Sequence, residues 1–304
     1  MSQAMLETIY RRMPSQEKKI MTAWTKHPDM KQELALFLTQ YQPVLVDLEL
    51  KETDLADSYM TMLEDVLNAR LEFMRTGAYS CPDFATAQAA VYQDQRRMTT
   101  YMLGLALSYF LWGHHYEILS FFRQSIAEIP TQAHCLEIGS GHGLFAANLL
   151  THRPDWRSLD ILDISPASLA MTRSIIQGIA PCDRLADINF VRGNIFDSPV
   201  DGLYDFVTMG EVLEHVESPG ALLGAVGKLL APHGRFFITT CVNSPAIDHI
   251  YQFKTVDEIR QMVRHAGLVI VSERVLPSLD KPVLYMEKNQ LDISYAAVLE
   301  GVAL

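Results

Sequence analysis

An α/β fold, with a seven-stranded sheet following an all-helical N-terminal region, is what this sequence predicts, on three observations. Up to about residue 127 the apolar residues recur at helical spacing. After Pro130 short apolar runs alternate with helical stretches. At the junction, His134-Cys135-Leu136-Glu137-Ile138-Gly139-Ser140-Gly141-His142-Gly143 reads as a buried strand entering a glycine turn and then a helix. In an open α/β sheet such a turn lies at the carboxyl edge, where glycine lets backbone approach a ligand closely.

The helical region takes its pattern from Leu63, Val66, Leu67, Leu71 and Met74, with Gly77 as a stop, and then from Met98, Met102, Leu105, Tyr109 and Trp112. The run Tyr101–Trp112 is apolar on nearly every side, so the sheet domain or another subunit must cover it. Residues 1–127 are therefore expected to form a cap, a homodimerisation element or both. Strands are expected at Cys135–Ile138, Leu159–Asp163, Ile188–Arg192, Phe206–Met209 and Arg235–Thr240, parallel and joined by right-handed crossovers. Leu268–Glu273 and Val283–Glu287, joined across Pro277 and Pro282, predict a closing antiparallel hairpin at the sheet edge. The segment after Asn289 has no readable pattern.

A hydrophobic share of 49% with 20% charged residues is that of a globular chain. A net charge of −11 lacks the basic stripe that a phosphate backbone requires, so no nucleic-acid partner is expected. Cys81, Cys135, Cys182 and Cys241 form no C-x-x-C pair and read as reduced, structural cysteines. The first residues show no basic-then-apolar signal, which predicts a cytoplasmic protein. The run Tyr101–Trp112 falls well short of the roughly 20 residues that span a bilayer, so no membrane insertion is expected.

Glycine spacing separates the cofactor classes. A dinucleotide fingerprint needs Gly-x-Gly-x-x-Gly, whereas here the third fingerprint position is Leu144, and no Gly-Lys-Ser/Thr follows to make a P-loop. The second strand ends in Asp163-Ile164-Ser165-Pro166, about 20 residues beyond the turn, where a carboxylate can accept from both hydroxyls of a ribose. Its plainer role is a charge ahead of a helix capped by Ser165. Gly193-Asn194-Ile195-Phe196-Asp197 follows the third strand. With Glu137 two residues before the first glycine, the turn resembles motif I of class I S-adenosylmethionine-dependent methyltransferases.

That resemblance covers roughly residues 131–288 and implies a Rossmann-like seven-stranded methyltransferase sheet, with residues 128–304 as the S-adenosylmethionine-binding catalytic domain. Gly139, Ser140 and Gly141 would then cradle the cofactor, Asp163 and Ile164 would hold ribose and adenine, and Gly210 would face the methyl group. Asn194 and Ile195 would form the adenine loop. Most members place an acid where Asn194 stands, but an amide oxygen can still accept from the adenine amino group. Glu137 would orient the glycine turn or the methionine amino group.

After the fourth strand, Met209-Gly210-Glu211-Val212-Leu213-Glu214-His215-Val216 predicts a short helical turn on which Glu211, Glu214 and His215 share a face. The segment is similar to that of ubiquinone-biosynthesis O-methyltransferases and small-RNA 2′-O-methyltransferases. In the latter a divalent metal uses this pattern with a downstream histidine, which implies Glu211, Glu214, His215 and His249 as ligands for Mg²⁺, Mn²⁺, Fe²⁺ or Zn²⁺. A metal-free alternative has His215 as general base, with Glu211 as the second catalytic residue. A structural alternative leaves His215 satisfied by a carboxylate and His249 exposed. His114 and His115 either line the cofactor entrance or lie at the surface of the cap. The implied activity is methyl transfer to a small-molecule acceptor, at a phenolic or enolic oxygen, or at carbon beside a 2-oxo acid carbonyl. The alternative of another class is an interaction protein that keeps the cofactor only as structure.

Overall fold

The computed structural model describes residues 2–92, 94–197 and 200–302. The chain opens with helices α1 (Ser2–Arg12), α2 (Ser15–Lys26), α3 (Met30–Gln40), α4 (Gln42–Asp47), α5 (Glu52–Thr76), α6 (Phe84–Ala87), α7 (Gln95–Ser108) and α8 (Gly113–Ala127). Gly77 ends α5 as expected, in the left-handed conformation (φ 74°) that costs glycine nothing. Strands and helices then alternate as β1 (His134–Ile138), α9 (Leu144–His152), β2 (Ser158–Asp163), α10 (Pro166–Ile179), β3 (Ile188–Arg192) and β4 (Tyr204–Gly210). They continue as α11 (Pro219–Gly227), β5 (Leu230–Val242), α12 (Val256–His265), β6 (Leu268–Pro277), α13 (Val283–Lys288) and β7 (Ile293–Gly301).

The sheet order is β3-β2-β1-β4-β5-β7-β6, parallel through β5, with β7 antiparallel to both its neighbours. The five parallel strands match the sequence reading, but its closing hairpin does not. Val283–Glu287 lies within helix α13, and the seventh strand is Ile293–Gly301, inserted between β5 and β6. The physical reason is burial: Leu284 is 75% and Tyr285 47% exposed, whereas Tyr295, Ala296, Ala297 and Leu299 are completely buried.

One face of the sheet carries α8, α9 and α10, the other α11 and α12. Helix α8 is seated by its aromatic residues, with Phe122 edge-on to Phe237 at 5.0 Å and Phe121 at 5.7 Å from the same ring. The apolar α7 finds its cover within the chain, against α5 on one side and α10 on the other. One hydrophobic cluster thus runs from Met5 and Tyr59 through Leu103 to Phe145 and Phe237. Among the described residues no helix is long and apolar enough to cross a membrane. Cys81, Cys135 and Cys241 are buried and unbridged.

Candidate active site

The carboxyl edge of the parallel strands opens into a cavity of about 1410 Å³. Ligand pockets commonly measure about 300–1,000 Å³, so this one has room for two small molecules side by side. Its wall brings together Gly139, Ser140 and Gly141 after β1, Asp163 and Ile164 after β2, and Asn194 and Ile195 after β3. Gly210, Glu211 and His215 after β4, and Asp248 and His249 after β5, complete the same wall. The N-terminal helices also line the cavity, through Tyr101, Met102, Tyr109 and Trp112. His114 and His115 also line it rather than lying on an outer surface.

The glycines are required by geometry. Gly139 and Gly141 have φ of 73° and 49°, and a Cβ on Gly139 would stand 2.6 Å from Val212 Cγ2. Asp163 ties this turn to the next strand. Its Oδ2 accepts from Gly141 N at 3.1 Å and Ser140 Oγ at 3.3 Å, and its Oδ1 accepts from Ser165 N at 2.7 Å. Asn194 uses its side-chain oxygen to accept from Phe196 N (3.1 Å), which shapes the loop after β3. From the helical region, the Tyr41 hydroxyl donates to the His142 carbonyl, and Met102 lies over Gly141. The N-terminal helices therefore fix the glycine turn from above.

Glu137 and Glu214 do not reach the cavity surface; they lie behind it, 2% and 0% exposed. Burial, then the charge of Asp163, pushes the Glu137 carboxyl well above its ordinary range. An acid with a raised folded pKa holds its proton in the fold at a pH where the unfolded chain has lost it, above about 4.5. Its contribution to stability is therefore complete below that pH and declines as pH rises through the folded pKa. Glu137→Gln, neutral at every pH, should lose this slope. Urea denaturation at about pH 5 and about pH 8 should show the variant gaining on the wild-type protein as pH rises. Equal slopes would mean that Glu137 is charged in the fold.

The segment after β4 is one short helical turn, a 3₁₀ turn over Leu213–His215. Glu211 precedes it with φ 52°, held by its N–H donating to Thr239 O and Oγ1. Glu214 accepts from Thr240 Oγ1 at 2.7 Å. Burial, then the Glu211 charge, raises the Glu214 pKa well above the carboxylate range. His215 turns the other way. Its Nδ1 stands 3.1 Å from the Asp248 carbonyl oxygen and 3.4 Å from Asp248 Oδ2. His249 is buried, donates from Nδ1 to Ser244 O at 2.6 Å, and has its ring perpendicular to that of His215 at 4.8 Å. Burial pushes its pKa down to about 4.

The four ligands expected for a metal therefore do not form one set. Among the described residues, side-chain donors within 4.8 Å of one another form two triads that share His249: Glu214, Cys241 and His249, and His215, Asp248 and His249. Glu211 belongs to neither, because its left-handed backbone takes it out of the turn that carries Glu214 and His215. Sequence reasoning missed Asp248 and Cys241 as donors. The signal was their place: Cys241 lies near the carboxyl end of β5, and Asp248 adjoins a histidine already singled out.

A family model described as a methyltransferase domain matches residues 112–273, over half of the chain. The chain belongs to the class I S-adenosylmethionine-dependent methyltransferases. Among its curated relatives, the ubiquinone biosynthesis O-methyltransferase of Pectobacterium carotovorum is 31% identical over 107 residues, covering 34% of this chain and 41% of that one. The corresponding protein of Cupriavidus pinatubonensis is 24% identical over 189 residues, covering 55% and 73%. The match thus spans about two fifths of the first relative's length. Among solved structures, the mitomycin 7-O-methyltransferase MmcR superposes with a TM-score of 0.55 at 13% identity, covering 86% of this chain and 73% of that one. This last likeness is one of fold. The methyltransferase fit is also physical. The three positive-φ glycines Gly139, Gly141 and Gly143 and the Asp163 bridge form a cradle suited to an adenosyl group, at the sheet edge where such ligands bind.

Proposed function

We propose that this methyltransferase transfers the methyl group of S-adenosylmethionine to a phenolic or enolic oxygen of a small molecule. The observation that carries the reading is the one cavity that the glycine turn, Asp163 and His215 line together with Tyr101, Tyr109 and Trp112. S-adenosylmethionine supplies a methyl carbon on a sulfonium, ready for in-line displacement. Asp163 accepts from the ribose hydroxyls, Ile164 and Ile195 flank the adenine, and Asn194 meets its edge. Tyr101, Tyr109 and Trp112 exclude water and set the acceptor against the methyl. His215 then takes the acceptor's proton. A carbonyl oxygen can only accept, so the Asp248 carbonyl places the resting proton on Nδ1 and the lone pair on Nε2. A phenol, with an ordinary pKa near 10, needs such a base at neutral pH.

The donor triad His215, Asp248 and His249 supports a second reading. Two imidazoles and a carboxylate suit a divalent ion, which would supply Lewis acidity at the acceptor oxygen. The first experiment is therefore a screen of phenols, enols and 2-oxo acids that follows S-adenosylhomocysteine formation, with and without a chelator. Turnover with a phenol that survives chelation is the expected result. Loss on chelation, restored by one divalent ion, would establish the second reading. Preference for a 2-oxo acid would shift the site to carbon. Cofactor binding with no turnover on any acceptor would overturn both.

A further inference from the structure

We infer that Arg70, on helix α5 where it lines the cavity, is a positioning residue for methyl transfer, holding the loop that carries Asp248 and His249 in register with His215. This rests on the reading of His215 as the proton acceptor.

Arg70 lies near the end of α5 with its side chain 17% exposed. Its guanidinium donates from Nη1 to Asn243 O at 3.0 Å and to Asp292 Oδ1 at 3.3 Å, and from Nη2 to Gln290 O at 2.6 Å. The carbonyls it gathers belong to residues 173 and 220 positions away in sequence. Both are non-glycine residues in the left-handed region, Asn243 at φ 51° and Gln290 at φ 52°. Such conformations persist where the surroundings over-determine them, and they concentrate at functional sites. A planar fork with several donors can bind two carbonyls and a carboxylate at once; a lysine ammonium has no such fixed fork.

What Arg70 fixes is the root of the catalytic loop. Asn243 closes that loop at its base: its N–H donates to Phe253 O at 3.0 Å, its Nδ2 to Lys254 O at 3.1 Å, and its Oδ1 accepts from Gln252 at 2.9 Å. The next residue, Ser244, supplies the carbonyl that orients His249. Further along, Asp248 holds His215, and the N–H groups of Ile250 and Tyr251 donate to Glu214 O at 2.8 and 2.9 Å. The same helix end continues the support, since Phe73 packs on Tyr79, and Tyr79 on His249 at 5.9 Å. The glycine turn and Asp163 are not bonded to Arg70 by any of these contacts. The consequence is a division of labour: loss of Arg70 should misplace the proton acceptor's support and leave cofactor binding intact. A displacement of about 1 Å remote from the chemistry can cost about 100-fold in rate.

The test compares Arg70→Ala and Arg70→Lys with the wild-type full-length protein. Expected for both is a fall in kcat of about 10- to 100-fold with S-adenosylmethionine affinity within about twofold by calorimetry. Millimolar methylguanidinium should restore part of the rate to Arg70→Ala and none to Arg70→Lys, whose ammonium occupies the site. A second readout needs no acceptor. Hydrogen exchange should accelerate in the peptide spanning 243–253 and stay unchanged in β1 and the glycine turn. Unchanged exchange in that peptide, or faster exchange throughout the sheet, would overturn the assignment. So would an unchanged kcat, or a lowered kcat that methylguanidinium does not rescue. Failure of the proposed methyl transfer would appear instead as absent turnover in the wild-type protein, with the exchange result standing.

Discussion

Replacement of His215 by alanine is expected to lower kcat by about 10²–10⁴-fold, the range that a positioned general base supplies, with the affinity for S-adenosylmethionine unchanged. The expectation comes from where the ring is held. Its Nδ1 faces the Asp248 carbonyl oxygen and carboxylate, while the side chain lines the cavity that also contains the glycine turn. None of its described hydrogen bonds reaches Asp163, Ser140 or Gly141, so truncation leaves the cofactor cradle intact. Single-turnover rates with the acceptor found by screening, alongside calorimetry, would measure the two effects separately. Turnover within tenfold of wild type would move the base elsewhere. Glu211 is then the next residue to test, since it lines the same wall.

Which parts of this arrangement could be read in advance follows from how local their signals are. The β1 glycine turn, Asp163 and the segment around His215 are each encoded within a few residues, and each lies at the carboxyl end of a parallel strand. Strands β1 to β5 were legible for the same reason, as apolar runs between helical stretches. The last two elements were not. Val283-Leu284-Tyr285-Met286 is a short apolar run, and periodicity alone does not tell a strand from a helix at that length. Pro282 opens it as a helix, and only Met286 is buried. Conversely, β7 contains Tyr295-Ala296-Ala297-Val298, where alanines weaken the β signal. Its position between β5 and β6 buries both its faces, which removes the alternation a reader looks for.

The polar cluster shows the same limit at the level of side chains. Glu211, Glu214 and His215 share a face on an ideal helix, but the left-handed backbone at Glu211 (φ 52°) breaks that helix before the 3₁₀ turn begins. Glu214 goes inward to Thr240, and His215 goes outward to Asp248. Arg70 had no local signal, because its worth lies in carbonyls brought to it by the folding of the rest of the chain.

Asp163→Ala should weaken S-adenosylmethionine binding about 10- to 150-fold, and Asp163→Asn should weaken it nearly as much. Hydrogen bonds to a charged group are worth about 1.5–3 kcal/mol, which sets the first figure for loss of the ribose contacts. The second follows from what the carboxylate does within the protein. Both of its oxygens accept from backbone N–H groups, Oδ1 from Ser165 and Oδ2 from Gly141. An amide can present its oxygen to one of them only, and its NH₂ then faces the other donor to donor. Asparagine therefore breaks the link between the glycine turn and the end of β2 whichever way it is flipped. Burial raises the Asp163 pKa, and the bonds from Ser165 and Gly141 oppose that rise. Calorimetric titration of both variants, with the fold checked by circular dichroism, separates the outcomes. Wild-type affinity in a folded Asp163→Asn protein would show that neither the charge nor the paired backbone bonds prepare the site, and would leave Asp163 as a cap for α10 alone.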